Sequence, residues 1–332
     1  MDLNNKVVLV TGGTGSFGKK FVKNTLQKFN LKKIIILSRD EMKQWEMARE
    51  YQDNKKVRFF IGDVRERARL FRAFEGVDVV VHAAATKIVP TAEYNPFECI
   101  KTNINGAMNV IDAAIDCKVE RVVALSTDKA SSPINLYGAT KLASDKLFIA
   151  ANNYSGKKTT TFSVVRYGNV MGSRGSIIPF FLSLKGRDKI PITDIRMSRF
   201  MISLEQGIEL VWKAIDDSLG GEIYVKKIPS MKVIDIVKVL CPNQEIEIIG
   251  IRPGEKLHEQ MIGIEDAPYT FEYEDYYKIL PSIYDAFKDK KRIGKGKSLS
   301  NDFSYTSDNN PQWMDEVTLS KWLSKESEAI ER

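Results

Sequence analysis

The run KVVLVT at residues 6–11 passes directly into GGTGSFG, and a helical spacing of Phe17, Phe21, Val22, Leu26 and Phe29 follows. No other stretch restricts the fold so tightly. Gly12, Gly15 and Gly18 form G-x-x-G-x-x-G between a strand and a helix. Glycines there let the backbone turn sharply and approach a pyrophosphate, whose charge is met by the N–H groups and positive dipole of the helix start. Strand on one side and helix on the other separate the motif from an ordinary glycine turn. A dinucleotide is expected against Gly12, Thr14, Gly15, Ser16, Phe17 and Gly18.

The strand-then-helix alternation continues. A second strand, residues 33–38, ends at Ser38-Arg39-Asp40, where dinucleotide folds read the adenosine ribose. An acid alone there suits the 2′-hydroxyl of NAD, whereas Arg39, with Lys43, can pair a 2′-phosphate, so the expected cofactor is NADP. The strand at 57–61 leads to Asp63 and Val64, a carboxylate and a backbone amide for the adenine. The strand at 78–81 opens into His82 and then Ala83, Ala84 and Ala85, small enough for a flat cofactor to lie against backbone, with the cation of Lys87 beyond them. His82 itself is expected to be a hydrogen-bonded core residue. A long helix over about 95–116 carries Asn103, a polar residue placed to bridge through water to the next strand. Helix follows strand throughout, so the fold class is α/β, a doubly wound parallel Rossmann sheet. Residues 1–170 form the cofactor domain, with elements returning near 200–225, and 171–332 mostly a smaller substrate lobe and tail. Residues 290–310 are expected to run extended over the surface, ahead of an amphipathic helix near 317–323.

Chemistry concentrates in STDKASSPINLYGATK, residues 126–141. Tyr137 and Lys141 are four apart, so on a helix the ammonium lies one turn beyond the phenol on the same face. A free phenol, with a pKa of about 10, is a poor base at neutral pH, and a nearby cation lowers that value. Tyr137 is therefore a candidate proton acceptor. Y-x-x-x-K also occurs on plain solvated helices; its support is Asp128-Lys129, just after the buried-strand run RVVALS, at the strand end where open α/β sheets hold their ligands.

The rest of the chain narrows the class. Cys99, Cys117 and Cys241 lack paired spacing, and His82 and His258 are the only histidines, so neither disulfides nor a metal site is expected. A net charge of +7 fits anionic ligands, yet no Lys/Arg block interleaved with aromatics marks a nucleic-acid surface. No apolar run approaches the roughly 20 residues of a membrane span, and the first residues enter a strand rather than a signal peptide, which points to the cytoplasm. The segment RYGNVMGSRGSIIPFF has the composition of a binding loop, and Arg174, Arg199, Arg252 and Lys256 suit a second phosphate-bearing ligand.

In this order TGGTGSFG, HAAA, STDK, YGATK, RYGNVMGSRGS, ITDIRMSRF and IRPGEKLHE resemble the extended short-chain dehydrogenase/reductase family over nearly the whole chain. Within it the likeness is to the C5-inverting UDP-N-acetylglucosamine 4,6-dehydratases that open pseudaminic acid biosynthesis. The resemblance implies that Tyr137 takes the 4-hydroxyl proton as hydride leaves C4, with Lys141 supporting it. It further implies that Lys129 removes the C5 proton as a neutral amine and that Asp128 protonates the departing 6-hydroxyl. For that role the Lys129 pKa must fall from about 10.4 toward 7, through desolvation and a cation such as Lys141; pairing with Asp128 would instead keep it charged and inert. By the same likeness Ser126, Thr127, Tyr167, Asn169 and Val170 join the cofactor site. Lys87, Asn169, Ser173, Arg174, Ser176, Thr193, Arg199, Arg252 and Glu255 face UDP-N-acetylglucosamine. Two positions depart from the pattern: Ile88, where relatives commonly carry a polar residue, and Met201, where an aromatic is common.

Two other functions fit parts of this pattern. A UDP-sugar 4-epimerase shares the fold and the Tyr/Lys pair but needs no acid–amine pair after the strand. A scaffold that binds NADP without turnover needs neither pair. The helices at 95–116 and 137–155 are long enough to pair across a two-fold axis, so a homo-oligomer, dimer or hexamer, is expected.

Overall fold

A computed structural model describes residues 1–156, 160–282 and 289–330; positions 331 and 332, the end of the range expected for the smaller lobe, lie outside the described residues. The first half alternates as expected: β1 (Val7–Thr11), α1 (Ser16–Lys28), β2 (Lys33–Ser38), α2 (Glu41–Glu50), β3 (Val57–Ile61), α3 (Arg67–Phe74) and β4 (Val79–His82). Every residue of β1 is buried, as a strand covered on both faces requires. Next come α4 (Val89–Tyr94), α5 (Pro96–Ile100), a π-helical turn (Lys101–Asn105) and α6 (Gly106–Asp116). The single long helix expected over 95–116 is thus interrupted. β5 (Arg121–Thr127), a 3₁₀ turn (Asp128–Ala130), α7 (Leu136–Tyr154) and β6 (Thr161–Tyr167) complete this half.

The strands pair in the order β3-β2-β1-β4-β5-β6, all parallel. The chain moves outward from β1 to β3 and then crosses to β4 on the other side of β1. This reversal opens a crevice at the carboxyl ends of β1 and β4, the place where such sheets bind ligands.

The second half holds β7 (Asn169–Val170), α8 (Ile177–Ser183), β8 (Lys189–Ile192), β9 (Ser198–Ile202), α9 (Leu204–Asp217) and β10 (Ile223–Lys226). It continues with β11 (Ser230–Lys232), α10 (Val233–Leu240), β12 (Glu245–Ile248), β13 (Gln260–Ile262), β14 (Thr270–Glu272) and β15 (Tyr276–Ile279). The chain ends in α11 (Lys290–Ile293), β16 (Lys297–Ser298), β17 (Tyr305–Thr306) and α12 (Glu316–Ile330). β10 joins β6 in parallel, but β15, β14 and β16 then add in antiparallel fashion. The expected doubly wound parallel sheet is thus extended by an antiparallel edge, whose strands of two to four residues are too short to carry a legible period.

Two of the hydrophobic clusters among the described residues are large. One surrounds the large sheet; the other joins Met171, Phe181, Ile190, Met201, Ile236 and Leu319. Met201 is fully buried there, so this departure concerns packing rather than a ligand. The 290–310 tail is docked, not merely laid on the surface. β16 extends the main sheet and β17 pairs with β13. Among the described residues no helix is long and apolar enough to cross a membrane.

Candidate active site

A cavity of about 710 Å³ opens over the crevice and is lined by the glycine loop, the ends of β2, β4 and β5, the start of α7 and the 167–176 segment. Gly12 sits at φ +66°, and a Cβ on it would lie 2.9 Å from the Ala84 nitrogen, so only glycine lets the β1 turn and the β4 end approach so closely. Thr14 Oγ1 lies 2.8 Å from Ser38 Oγ, tying the loop to the end of β2. The residues expected around a dinucleotide, from Gly12 through Phe17, Ser38, Arg39, Asp63 and Ala83 to Val170, all line this cavity except Asn103.

Asn103 is buried in the π turn and makes direct hydrogen bonds. Its Nδ2 donates to Thr86 O at 2.9 Å and to Thr140 Oγ1 at 3.0 Å, and its Oδ1 accepts from Thr86 N–H at 2.8 Å. It therefore binds the segment after β4 directly to α7. π turns placed this way re-aim a polar side chain near a site.

At the end of β2 the two charges behave differently. Asp40 caps α2, accepting from the Lys43 N–H at 3.0 Å and from the Lys43 ammonium. Arg39 is 66% exposed and only 3.9 Å from Asp63.

The reactive cluster is set by backbone close approach. A Cβ on Gly138 would lie 2.3 Å from the Lys129 carbonyl oxygen, so glycine lets α7 abut the 3₁₀ turn that carries Asp128 and Lys129. Asn135 caps α7, accepting from the Gly138 N–H at 2.8 Å. Asp128, Lys129, Tyr137 and Lys141 all line the cavity.

Their protonation differs from expectation. Burial pushes the Tyr137 phenol up to about 12, against the pull of Lys129 and a Thr127 hydrogen bond. The expected lowering by Lys141 is not found, because the Lys141 ammonium is itself desolvated and donates to Leu125 O at 2.7 Å. Nor is Lys129 neutral. Burial opposes its charge, but Asp128 Oδ1 and Glu259 Oε1, each 3.0 Å from its Nζ, raise its pKa above the ordinary lysine value. Burial pushes the Asp128 carboxyl up, whereas Lys129 and Arg199 outweigh burial at Glu259 and hold it down. Glu259 is 2% exposed and was not singled out from the sequence; it lies far along the chain in a segment without periodicity, and only its isolated acid within KLHEQMI marks it.

His82 is a core residue, as expected. Thr11 Oγ1 accepts from the Ala83 and Ala84 N–H groups at 3.2 Å each, so its own hydrogen goes to His82 Nδ1 at 2.8 Å.

The residues expected on the substrate side divide. Lys87, Asn169, Ser173, Arg174 and Ser176 line the cavity, as does Ile88. Asn169 Oδ1, Ser176 Oγ and Asp128 Oδ2 are buried without a hydrogen-bond partner among the described residues, leaving acceptors for a ligand. The Arg174 N–H donates to Ser16 Oγ at 3.3 Å, joining this loop to the glycine loop. Thr193, Arg199, Arg252 and Glu255 are not in the lining. Arg199 is buried and donates to the carbonyls of Ser198, Leu257 and Lys256 at 2.7, 3.1 and 3.0 Å, so it braces the 256–259 segment instead of facing a diphosphate. Glu255 lies 3.8 Å from Arg199. Thr193 Oγ1 is turned to Met197 Sδ at 3.3 Å, and Arg252 is exposed.

The family described as polysaccharide biosynthesis protein matches residues 8–281. A UDP-N-acetylglucosamine 4,6-dehydratase (inverting) of Campylobacter jejuni is 56% identical over 323 residues, 95% of this chain and 96% of that one. A UDP-glucose 4-epimerase of Rickettsia bellii is 43% identical over 83% of each chain. Among solved structures, Pen from Bacillus thuringiensis matches with a TM-score of 0.89 and 39% identity, covering 98% of this chain and 99% of that one.

Proposed function

The chain belongs to this polysaccharide biosynthesis family of extended short-chain dehydrogenases/reductases, and we propose that it is an NADP-dependent, C5-inverting UDP-N-acetylglucosamine 4,6-dehydratase. One observation carries the reading: the Tyr137–Lys141 pair and the Asp128–Lys129 pair share a single cavity. A 4-epimerase uses the first pair, whereas an elimination also needs an acid and a base beside C5 and C6. The 56% identity to the Campylobacter enzyme supports the same substrate.

When bound, a nicotinamide dinucleotide supplies a reversible hydride acceptor. Residues 1–170 hold it, with the glycine loop at the pyrophosphate, Arg39 and Lys43 toward the 2′-phosphate and Asp63 with Val64 at the adenine. Lys87, Asn169, Ser173, Arg174 and Ser176 hold the sugar nucleotide against the lobe of residues 171–332. Tyr137 accepts the proton of the 4-hydroxyl; Lys129 and the Thr127 hydrogen bond pull toward the phenolate that burial disfavours, and Lys141 holds the ribose. A ketone at C4 acidifies the C5 hydrogen, which Lys129 removes. Asp128, whose carboxyl burial pushes up toward the protonated form, gives its proton to O6 as the C6–O bond breaks and water leaves. The hydride removed from C4 would return to C6 of the C5–C6 double bond as C5 is reprotonated from the opposite face, which inverts that centre.

The reading extends to a cytoplasmic first step of pseudaminic acid biosynthesis and to a homo-oligomer. Tyr94, Phe97 and Tyr154, exposed by 88%, 75% and 57%, supply apolar helix surface for such an assembly.

Incubation with UDP-N-acetylglucosamine in deuterated water, followed by NMR, tests the function. A 6-deoxy-4-keto sugar of L-configuration with deuterium at C5 is expected, and Lys129→Ala should bind cofactor but stop the exchange. Unchanged substrate, or its 4-epimer, would overturn the reading.

A further inference from the structure

The geometry around Lys129 includes a second carboxylate whose placement is fixed. The Glu259 N–H donates to Ser307 Oγ at 2.9 Å, and its carbonyl accepts from the Ser307 N–H at 2.8 Å. Ser307 Oγ lies 2.7 Å from Ser198 Oγ. The backbone at 259 is thus held from both sides, and its buried side chain reaches Lys129 at 3.0 Å. Glu259 Oε2, like Asp128 Oδ2, is buried without a hydrogen-bond partner among the described residues. A buried ion pair kept only for architecture would have such oxygens satisfied, so two orphaned acceptors beside one amine call for a chemical reason.

The charged and titratable groups facing the pair are Asp128, Tyr137, Lys256 and Arg199, whose Nε is 3.7 Å from Glu259 Oε1; Glu255 is balanced by Arg199 at 3.8 Å. Burial pushes the Asp128 carboxyl up, whereas Lys129 and Arg199 hold Glu259 down, so of the two carboxyls in contact with the amine Asp128 is the weaker acid.

On the premise of the dehydratase reading, we propose that Glu259 is a positioning residue for Lys129 that also holds one of its protons, so that the amine meets the sugar C5 uncharged. In the open site the ion pair keeps its proton on Lys129. When the sugar nucleotide excludes water the low dielectric penalises the two charges, an N–H bond of Lys129 breaks and an O–H bond forms on Glu259, converting ammonium and carboxylate into amine and acid with no change in net charge. The amine lone pair takes the C5 proton while the C5–H electron pair forms the C5–C6 double bond. The C6–O bond breaks with its electrons on oxygen, which takes the Asp128 proton and leaves as water. Lys129 is then an ammonium, Asp128 a carboxylate and Glu259 an acid. A proton passed from Lys129 to Asp128, and one from Glu259 to Lys129, restores the starting state. As the hydride taken from C4 would return to C6, the new C5 proton comes from solvent, to which Tyr137 returns the proton it took.

The test follows C5 deuterium exchange against pH in the full-length, cofactor-loaded enzyme, alongside C4 oxidation read from the reduced nicotinamide absorbance. In the unsubstituted enzyme the internal transfer makes exchange nearly flat from neutral to mildly alkaline pH. In Glu259→Gln the amine must lose its proton to solvent. Exchange should fall about tenfold or more at neutral pH and then climb about tenfold per pH unit, with C4 oxidation preserved. Glu259→Asp keeps a carboxylate and should exchange slowly with a flat profile. A Glu259→Gln enzyme that exchanges at the original rate, or that loses C4 oxidation in parallel, overturns the proposal, as does a sloped profile in Glu259→Asp. If the unsubstituted enzyme shows no exchange at all, it is the dehydratase reading that fails.

Discussion

Arg39 and Asp40 are neighbours at the end of β2 with different duties. The Asp40 carboxylate is engaged in capping α2 and in pairing Lys43, while the Arg39 guanidinium is 66% exposed at the cavity edge with Asp63 at 3.9 Å. A guanidinium left in this position is suited to a 2′-phosphate, and charge-assisted hydrogen bonds of this kind contribute about 1.5–3 kcal/mol. Arg39→Ala is expected to weaken NADP binding by about 10- to 100-fold and to change NAD binding little, measured by calorimetric titration. Equal losses for the two cofactors would remove Arg39 from phosphate recognition. The same scale shows how a residue's company sets its charge. Lys129 is desolvated, which by itself favours the neutral amine, yet two carboxylates at 3.0 Å outweigh that effect.

At the level of elements, β1 and β4 are joined beyond their ladder by the Thr11–His82 hydrogen bond, which ends both strands next to the glycine turn. Burial, aided by the charge of Lys141, lowers the His82 pKa from 6.5 to about 3. Between those values the unfolded chain binds a proton that the native protein refuses. Stability from this group is therefore fully present above about pH 6.5 and is lost as pH falls toward 3, at about 1.4 kcal/mol per unit. Between pH 7 and pH 5, denaturant unfolding should show a loss about 2 kcal/mol smaller in His82→Asn than in the unsubstituted protein. Identical losses would mean that His82 is protonated without penalty in the folded state. α7 adds a second lesson at this scale: its first turn packs on the Lys129 carbonyl through Gly138, so the acid–amine turn and the Tyr/Lys helix are positioned together.

The whole molecule is closed by its tail. Tyr305 in β17 is 3% exposed; its hydroxyl accepts from the Ile228 N–H at 3.0 Å and donates to the Ile228 carbonyl at 2.9 Å. Asn310 also serves that carbonyl, so Tyr305→Phe strands chiefly the N–H, at a cost of about 1–3 kcal/mol in equilibrium unfolding. An unchanged unfolding midpoint would show that the tail contributes no stability through this contact. The same pairing of β17 with β13 anchors the segment just after Glu259, so the end of the chain helps set the site at its centre.

What the sequence determined by itself was local: the run of buried strands, the glycine turn and the Tyr137/Lys141 spacing on α7. Each depends on residues within a few positions of one another, where periodicity and backbone sterics act. Tertiary structure alone decided the antiparallel edge of the sheet, the bracing role of Arg199, the arrival of Glu259 at Lys129 and the charge each of these groups carries. Those depend on distances through space and on desolvation, and residues 128 and 259 acquire neither until the chain has folded around them.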